Sequence, residues 1–269
     1  MEEFSLCQPD KVKSCGACCG LYNYKAAGRE DLIQRLTQRT ERFNSIPRTM
    51  PAFREFSDWV KEVEPQDKLF QTIYNCEFLG FLDQDLRRVG CLLHPAQNNG
   101  TDFRSCSFYG EDLCAAHRCE SYRKLSIEET QGVMHALEDW FLYGLCITDI
   151  DLVKGFFFHA SQLLGERPDP RVLAHDMVSE SLASFLVLKI RWPFRTQEQG
   201  RFGKYCFAED EYREARIPYD RLGAARSPYD AILLSLASDF SSHEELNAAE
   251  QLISAGIQQF VDVYLRYAS

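Results

Sequence analysis

Apolar residues recur at helical spacing through the second half of the chain. A capping-box sequence, Ser126-Ile127-Glu128-Glu129, is followed at that spacing by Val133, Leu137, Trp140, Phe141 and Leu145. Asp169-Pro170 and Ser227-Pro228 each place a capping side chain before a proline, which is typical of a helix start. Ser242-His243-Glu244-Glu245 begins a last helix, and residues 150–165 supply another. The pattern therefore predicts a bundle of five helices.

The first half is less regular. Residues 29–44 have helical periodicity, with Leu32, Leu36 and Phe43 on one side. Arg35, Arg39 and Arg42 lie on another side, and we interpret them as a solvated face. Two apolar runs, 76–82 and 88–93, flank the polar residues 83–85 and predict a short β-hairpin.

Composition narrows the class of protein. The chain has 269 residues, a hydrophobic fraction of 45% and a net charge of −10. These values exclude a disordered tail and a collagen, and the acidity argues against general nucleic-acid binding. The length suffices for one or two domains of about 150 residues each.

The first residues and the longest apolar stretches bear on the compartment. The sequence Met1-Glu2-Glu3-Phe4-Ser5-Leu6 lacks the basic and apolar regions of a signal peptide. The apolar stretches stay far below the roughly 18 residues that a membrane span needs. We therefore expect a soluble cytoplasmic protein that does not enter a membrane.

Cysteines dominate the candidate chemistry. Nine of the eleven lie within the first 119 residues, and only Cys146 and Cys206, interpreted as small buried hydrophobes, follow. In a reducing compartment, thiols at short spacings indicate metal ligands or redox groups rather than disulfides. Cys15-Gly16-Ala17-Cys18 is a C-x2-C pair that can reach one ion, and Gly16 and Gly20 relax the backbone around it. Because adjacent side chains diverge, Cys18 followed by Cys19 favours two neighbouring metal centres or a cluster of several metals.

Three segments together carry a family resemblance. The run Cys15-Gly16-Ala17-Cys18-Cys19, the sequences Cys76-Glu77-Phe78-Leu79 and Gly90-Cys91-Leu92-Leu93-His94-Pro95, and the closing Cys114 and Cys119 resemble the YkgJ-like cysteine-cluster proteins. This bacterial family is described as zinc- or iron-chelating domains, and the resemblance covers residues 7–123. It implies a cluster of eight cysteine ligands: Cys15, Cys18, Cys19, Cys76, Cys91, Cys106, Cys114 and Cys119. Val12 occupies the first cysteine position of the family motif, and Cys7 is the candidate to replace it.

All-thiolate ligation suits both zinc and an iron–sulfur cluster, so the metal stays open. A ferredoxin-type C-x2-C-x2-C-x3-C-P run is lacking, which disfavours the iron–sulfur alternative without excluding it. His94 and His117 are further candidate ligands, although His94 is better interpreted as a turn or capping residue, and Asp102 and Arg104 are a candidate ion pair. Cationic side chains close to the cysteines in sequence are available to balance thiolate charge: Arg87, Arg88, Arg104, Arg118, Arg123 and Lys124.

These observations predict a mainly α protein. Residues 1–123 form an irregular cysteine-rich metal-binding module with a short β-hairpin, and residues 124–269 form a helical bundle. The predicted function is that of a cytoplasmic metal-binding protein that chelates zinc or iron, with an iron–sulfur cluster as one form of the iron. One alternative is a metal- or iron–sulfur-dependent enzyme, although no nucleophile elbow, phosphate-binding loop or HExxH motif is present. The other is a protein-interaction module that metal merely folds, with an unspecified protein partner.

Overall fold

The computed structural model describes residues 5–64, 67–196, 205–208 and 211–268, with the backbone alone at 205–208, 211 and 212. The side chain of Cys206 therefore lies outside the described part. The chain divides into two compact units. The cysteine unit consists of Met1–Cys119 and Asp139–Gly144, and the helical unit consists of Glu120–Glu138 and Leu145–Ser269.

The described residues are mainly helical, which confirms the predicted class. The helices are α1 (Arg29–Asn44), α2 (Met50–Val63), α3 (Gly110–Ala116), α4 (Ser121–Lys124), α5 (Ile127–Ala136), α6 (Trp140–Ile147), α7 (Ile150–Leu164), α8 (Pro170–Leu173), α9 (Asp176–Leu186), α10 (Leu188–Arg191), α11 (Tyr219–Leu222), α12 (Asp230–Ser235) and α13 (His243–Tyr267). The strands are β1 (Leu79–Phe81), β2 (Val89–Cys91), β3 (Tyr205–Ala208) and β4 (Glu211–Glu214). Strands β1 and β2 form one antiparallel pair, and β3 and β4 form another that the sequence did not predict.

An aromatic core holds the cysteine unit together. Helix α1 spans the predicted residues, and its Phe43 stacks on Phe53 of α2 with ring centroids 5.5 Å apart. Phe56 and Phe78 complete the buried cluster, in which Phe78 contacts both of these helices through ring contacts. Phe78 directly precedes β1, so this core fixes the start of the hairpin.

The predicted hairpin forms, although its strands are shorter than the apolar runs. Leu79 pairs with Cys91 and Phe81 with Val89. One backbone hydrogen bond continues the ladder beyond each end of the paired strands, from Leu92 N to Phe78 O at 2.8 Å and from Leu82 N to Arg88 O at 2.8 Å. The hairpin thus connects the segment that carries Cys76 to the one that carries Cys91.

Residues 139–144 belong to the cysteine unit, whereas the sequence analysis assigned them to the helical part. The apolar stripe that predicted one helix from Ser126 to Leu145 is interrupted after α5. The Asp139 carboxylate accepts hydrogen bonds from the amides of Phe141 and Leu142, each at 3.2 Å, and so caps a new helix, α6. Trp140 then packs edge-to-face on Phe81, and this contact ties the segment to the hairpin.

The helical unit has the predicted caps at Ser126, Asp169 and Ser242, whereas α12 begins only at Asp230 and has no side-chain cap from Ser227. Ser126 and Glu129 form a reciprocal capping box, and Ser242 caps α13 through the amide of Glu245. Helix α13 packs on α7 and α9, α5 packs on α9, and α12 packs on α7, which gives the bundle. The predicted helix after Asp169 is divided into α8, α9 and α10, and the break between α8 and α9 lies at His175, which adopts an extended backbone. Within the described residues, no helix has both the length and the apolarity needed to cross a membrane.

Candidate metal centre

The cysteine run folds into a single tight turn. Ala17–Cys19 form a 3-10 helix, and Gly20 ends it with a left-handed backbone at φ 81°. Hydrogen bonds from Cys19 N to Gly16 O and from Gly20 N to Ala17 O, at 3.0 and 2.9 Å, close the turn. Three thiols therefore originate from one short backbone segment, and the positive φ at Gly20 agrees with the sequence prediction.

Two backbone hydrogen bonds bring other cysteines to this turn. The amide of Cys15 donates to the carbonyl of Cys7 at 2.9 Å, and the amide of Cys76 donates to the carbonyl of Cys19 at 2.9 Å. The first contact joins an upstream cysteine to the beginning of the turn. The second joins a cysteine 57 positions further along the chain to its end.

Asn23 and Gly20 hold the Cys76 segment against the turn. The Asn23 side chain donates to the carbonyls of Phe70 and Ile73 and accepts from the amide of Phe70, at 3.0, 3.1 and 2.9 Å. A Cβ atom at Gly20 would lie 2.5 Å from the carbonyl oxygen of Tyr74, so only glycine permits this approach. Sequence reasoning missed Asn23, because a buried asparagine has no local pattern that reveals its distant partners.

One set of thiols surrounds Cys15 and Cys18, and we call Cys7, Cys15, Cys18 and Cys119 the Cys7 group. A side-chain hydrogen bond with Cys119, followed by desolvation, raises the pKa of Cys18 strongly. Desolvation raises the pKa of Cys15 to about 12, and the neighbouring negative charges of Cys7 and Cys119 act in the same direction. The four sulfurs are therefore electrostatic neighbours.

A second set surrounds Cys19, and we call Cys19, Cys76, Cys91 and Cys114 the Cys19 group. Desolvation raises the pKa of Cys19 well above its ordinary value, and the charges of Cys76, Cys91, Cys114 and, as the smallest contribution, Cys15 of the Cys7 group raise it further. Desolvation also raises the pKa of Cys76 to about 12 and that of Cys91 to about 11. Cys18 and Cys19, adjacent in the chain, thus have different main neighbours, and Cys15 acts on both of them.

The remaining predicted ligands have other contacts. The Cys106 sulfur is 2.9 Å from the Met50 sulfur, and Cys106 packs on the same aromatic core as Cys19 and Cys91. His94 is a capping residue, as expected, because its Nδ1 accepts a hydrogen bond from the amide of Ala96 at 3.1 Å. His117 ends helix α3, where its amide donates to the carbonyl of Leu113. Cys146 is buried, in agreement with its interpretation as a small hydrophobe.

Two arginines bring positive charge to the Cys19 group. Arg104 forms the expected ion pair with Asp102, with Nε 3.0 Å from both carboxylate oxygens, and its charge lowers the pKa of Cys91 against the larger effect of desolvation. Arg39 was predicted to be solvated, and this prediction is wrong: only 2% of Arg39 is exposed. It is buried because its polar hydrogens find partners inside the unit, which include Glu64, Tyr24 and the Cys76 carbonyl.

The donor set fits a thiophilic metal, but the side chains do not form a finished site. Among the residues that the structure describes, no three His, Cys, Asp or Glu side chains are arranged so that they could hold a metal ion. Four thiolates are nevertheless the ligand set that structural zinc sites and iron–sulfur clusters use. The described backbone therefore gathers thiols of the right chemistry without placing them in coordination geometry.

The helical unit contains a cavity. It has a volume of about 500 Å³ and is lined by residues that include Ser126, Glu129, Lys154 and Phe157. The Lys154 ammonium is 3.1 Å from the Glu129 carboxylate, so these two charges already neutralise each other. This cavity provides no observation that favours an enzyme over a metal-binding protein.

No protein-family model matches the chain, and no match was found to a curated protein or to a solved structure. The similarity to the YkgJ-like proteins thus stays a prediction from the cysteine motifs.

Proposed function

We propose that this chain is a cytoplasmic metal-binding protein that chelates zinc or iron at two neighbouring four-cysteine sites. The observation that carries the proposal is that Cys18 and Cys19 have different main thiol neighbours, while backbone hydrogen bonds join Cys15 to Cys7 and Cys76 to Cys19. Each group contains four thiols, and four thiolates complete the coordination of one zinc ion or of one iron–sulfur cluster.

The ligand set that we propose differs in one residue from the set that the family resemblance implies. Cys7 replaces Cys106, because Cys7 is fixed to Cys15 by a backbone hydrogen bond of 2.9 Å, whereas Cys106 contacts Met50. Neither histidine is included. Metal binding requires the four sulfurs of each group to come to about 2.3 Å from the ion, a distance typical of zinc thiolates.

Metal also explains why thiols with raised pKa values are collected in one place. A buried thiol remains protonated at neutral pH and contributes nothing electrostatically, whereas a bound cation stabilises the thiolate directly. Four thiolates and one Zn²⁺ leave a charge of about −2 at each site, which nearby cations and amide donors must balance. Arg104 beside Cys91 meets this requirement for the Cys19 group.

Metal content of the full chain, purified without oxygen, tests the proposal. We expect two zinc ions or two iron–sulfur clusters per chain. Visible charge-transfer absorption distinguishes the iron–sulfur form, because zinc thiolates are colourless. Purification in the presence of both metals, followed by elemental analysis, gives the identity and the stoichiometry together.

Single serine substitutions test the assignment of ligands. Cys7→Ser and Cys18→Ser should each remove the metal of the Cys7 group, and Cys19→Ser should remove the metal of the Cys19 group. Cys106→Ser and Cys146→Ser are matched controls that should keep both. A chain without metal, or one in which Cys106→Ser costs as much metal as Cys7→Ser, would contradict the proposal.

A further inference from the structure

Arg39 belongs to a buried network in which positive charge is in excess. Its Nε and Nη2 donate to the two carboxylate oxygens of Glu64 at 2.5 and 2.6 Å, and Nη2 also donates to the Tyr24 hydroxyl at 2.8 Å. Arg35 shares the same carboxylate. Two guanidinium groups and one carboxylate leave a net charge of +1, and the exposed fraction of Arg39 and of Glu64 is only 2% and 8%.

The Nη1 atom of Arg39 extends this network to the backbone around Cys76. Arg39 Nη1 donates to the carbonyl of Cys76 at 2.9 Å and lies 3.4 Å from the carbonyl of Leu79. The amide of Cys76 is held from the other side by the carbonyl of Cys19. The Cys76 peptide groups are therefore fixed on both sides, and the fixed charge of Arg39 lies beside the most buried thiol of the Cys19 group.

We propose that Arg39 is a positioning residue for the metal site of the Cys19 group, where it orients Cys76 and balances the charge of the metal-bound thiolate. This inference rests on the proposed function. Its physical basis is that a guanidinium held by a carboxylate and a hydroxyl cannot move to water, so its remaining donor and its charge stay directed at the loop. The Cys7 group does not include Cys76, so we assign Arg39 no role there.

Cobalt titrations of the full chain, in two backgrounds, test the inference. Cys18→Ser leaves the Cys19 group as the intact site, and Cys19→Ser leaves the Cys7 group. In the Cys18→Ser background, Arg39→Met should weaken Co²⁺ binding about 10- to 100-fold, the usual effect of losing a residue that supports a metal ligand. In the Cys19→Ser background, the same substitution should leave Co²⁺ affinity unchanged.

Two further variants separate positioning from general stability. Arg39→Lys keeps the charge but loses the fork geometry, so its affinity should lie between those of the parent and Arg39→Met, with an altered thiolate-to-cobalt absorption band. Lys189→Met removes a buried cation of the helical unit and should change neither site. Equal loss in both backgrounds, or no loss with Arg39→Met, would overturn the inference. Absence of metal in the parent chain would instead refute the proposed function and, with it, this inference.

Discussion

Gly20 offers a direct test of how the backbone gathers the cysteines. It has a left-handed backbone at φ 81°, and a Cβ atom would lie 2.5 Å from Tyr74 O and 2.7 Å from the Cα of Asn75. Gly100 has nearly the same φ, 86°, but a Cβ atom there meets nothing within 4 Å. The substitutions Gly20→Ala and Gly100→Ala therefore share the cost of a left-handed alanine backbone. Only Gly20→Ala adds a clash of the new Cβ atom with the backbone of Tyr74 and Asn75.

The magnitudes follow from these two geometries. A left-handed alanine costs about 1–2 kcal/mol, and the lower entropy of the unfolded chain offsets about 0.4–1 kcal/mol of that cost. Gly100→Ala should thus lower the free energy of unfolding by about 1 kcal/mol. At Gly20 the backbone of the neighbouring segment must also move by about 1 Å, which adds about 1–3 kcal/mol, as overpacking does in a core.

The assay measures the cysteine unit itself. Urea unfolding of the metal-free, reduced full chain gives the free energy of unfolding. Amide hydrogen exchange of peptides that cover residues 70–79 reports whether the Cys76 amide keeps its bond to the Cys19 carbonyl. We expect Gly20→Ala to accelerate exchange in these peptides and Gly100→Ala to leave it unchanged. Equal destabilisation by the two substitutions, with equal exchange, would refute the close approach of the two segments.

Two other predictions concern protons and the helical unit. Desolvation raises the pKa of Cys15 to about 12 and that of Cys91 to about 11, so these thiols are protonated at neutral pH. Metal binding should therefore release about four protons per ion. Acidification should accordingly favour the metal-free chain. Calorimetry in buffers of different ionisation enthalpy measures this number, and a release below two per ion would contradict four-thiolate ligation. Lys189→Met should lower the free energy of unfolding by about 3–5 kcal/mol, because the buried Lys189 ammonium is 2.5 Å from the Asp149 carboxylate in the helical unit. Thermal denaturation measures this loss. The double variant Lys189→Met, Asp149→Asn should recover part of it. A loss below about 1 kcal/mol for Lys189→Met would count against the buried ion pair.

Features that depend on neighbouring residues could be predicted from the sequence. Helix α1 and the capping box at Ser126 form as predicted, because periodicity and capping are local properties. The hairpin was placed correctly because two apolar runs flank a polar turn, but its strand length depends on the aromatic core at Phe78. The break at Asp139 was missed because the apolar stripe continues across it.

Features that depend on distant partners could not be predicted in the same way. Arg39 occurs in a stripe of arginines whose spacing is that of a solvated face, and its burial is favourable because distant partners, which include Glu64, Tyr24 and the Cys76 carbonyl, satisfy its donors. The choice between Cys7 and Cys106 likewise depends on which of the two backbone segments lies against the turn at Ala17–Cys19. Spacing gives the number of available thiols, whereas the hydrogen bond from Cys15 to Cys7 favours one of them.

The two cysteine groups differ in how their charge can be balanced. Cys18 is exposed, so water can screen the charge of that thiolate, although desolvation raises the pKa of Cys15 in the same group; Cys76 is only 7% exposed and lies in a medium of lower dielectric constant. A metal thiolate at Cys76 therefore needs fixed positive charge from the protein, and Arg39 and Arg104 both act on the Cys19 group. The adjacent residues Cys18 and Cys19 would then serve one site with an exposed ligand and one site with a buried ligand beside fixed arginine charge. The ligand types are the same at the two sites. The different surroundings of the sites would therefore set their relative affinities for metal.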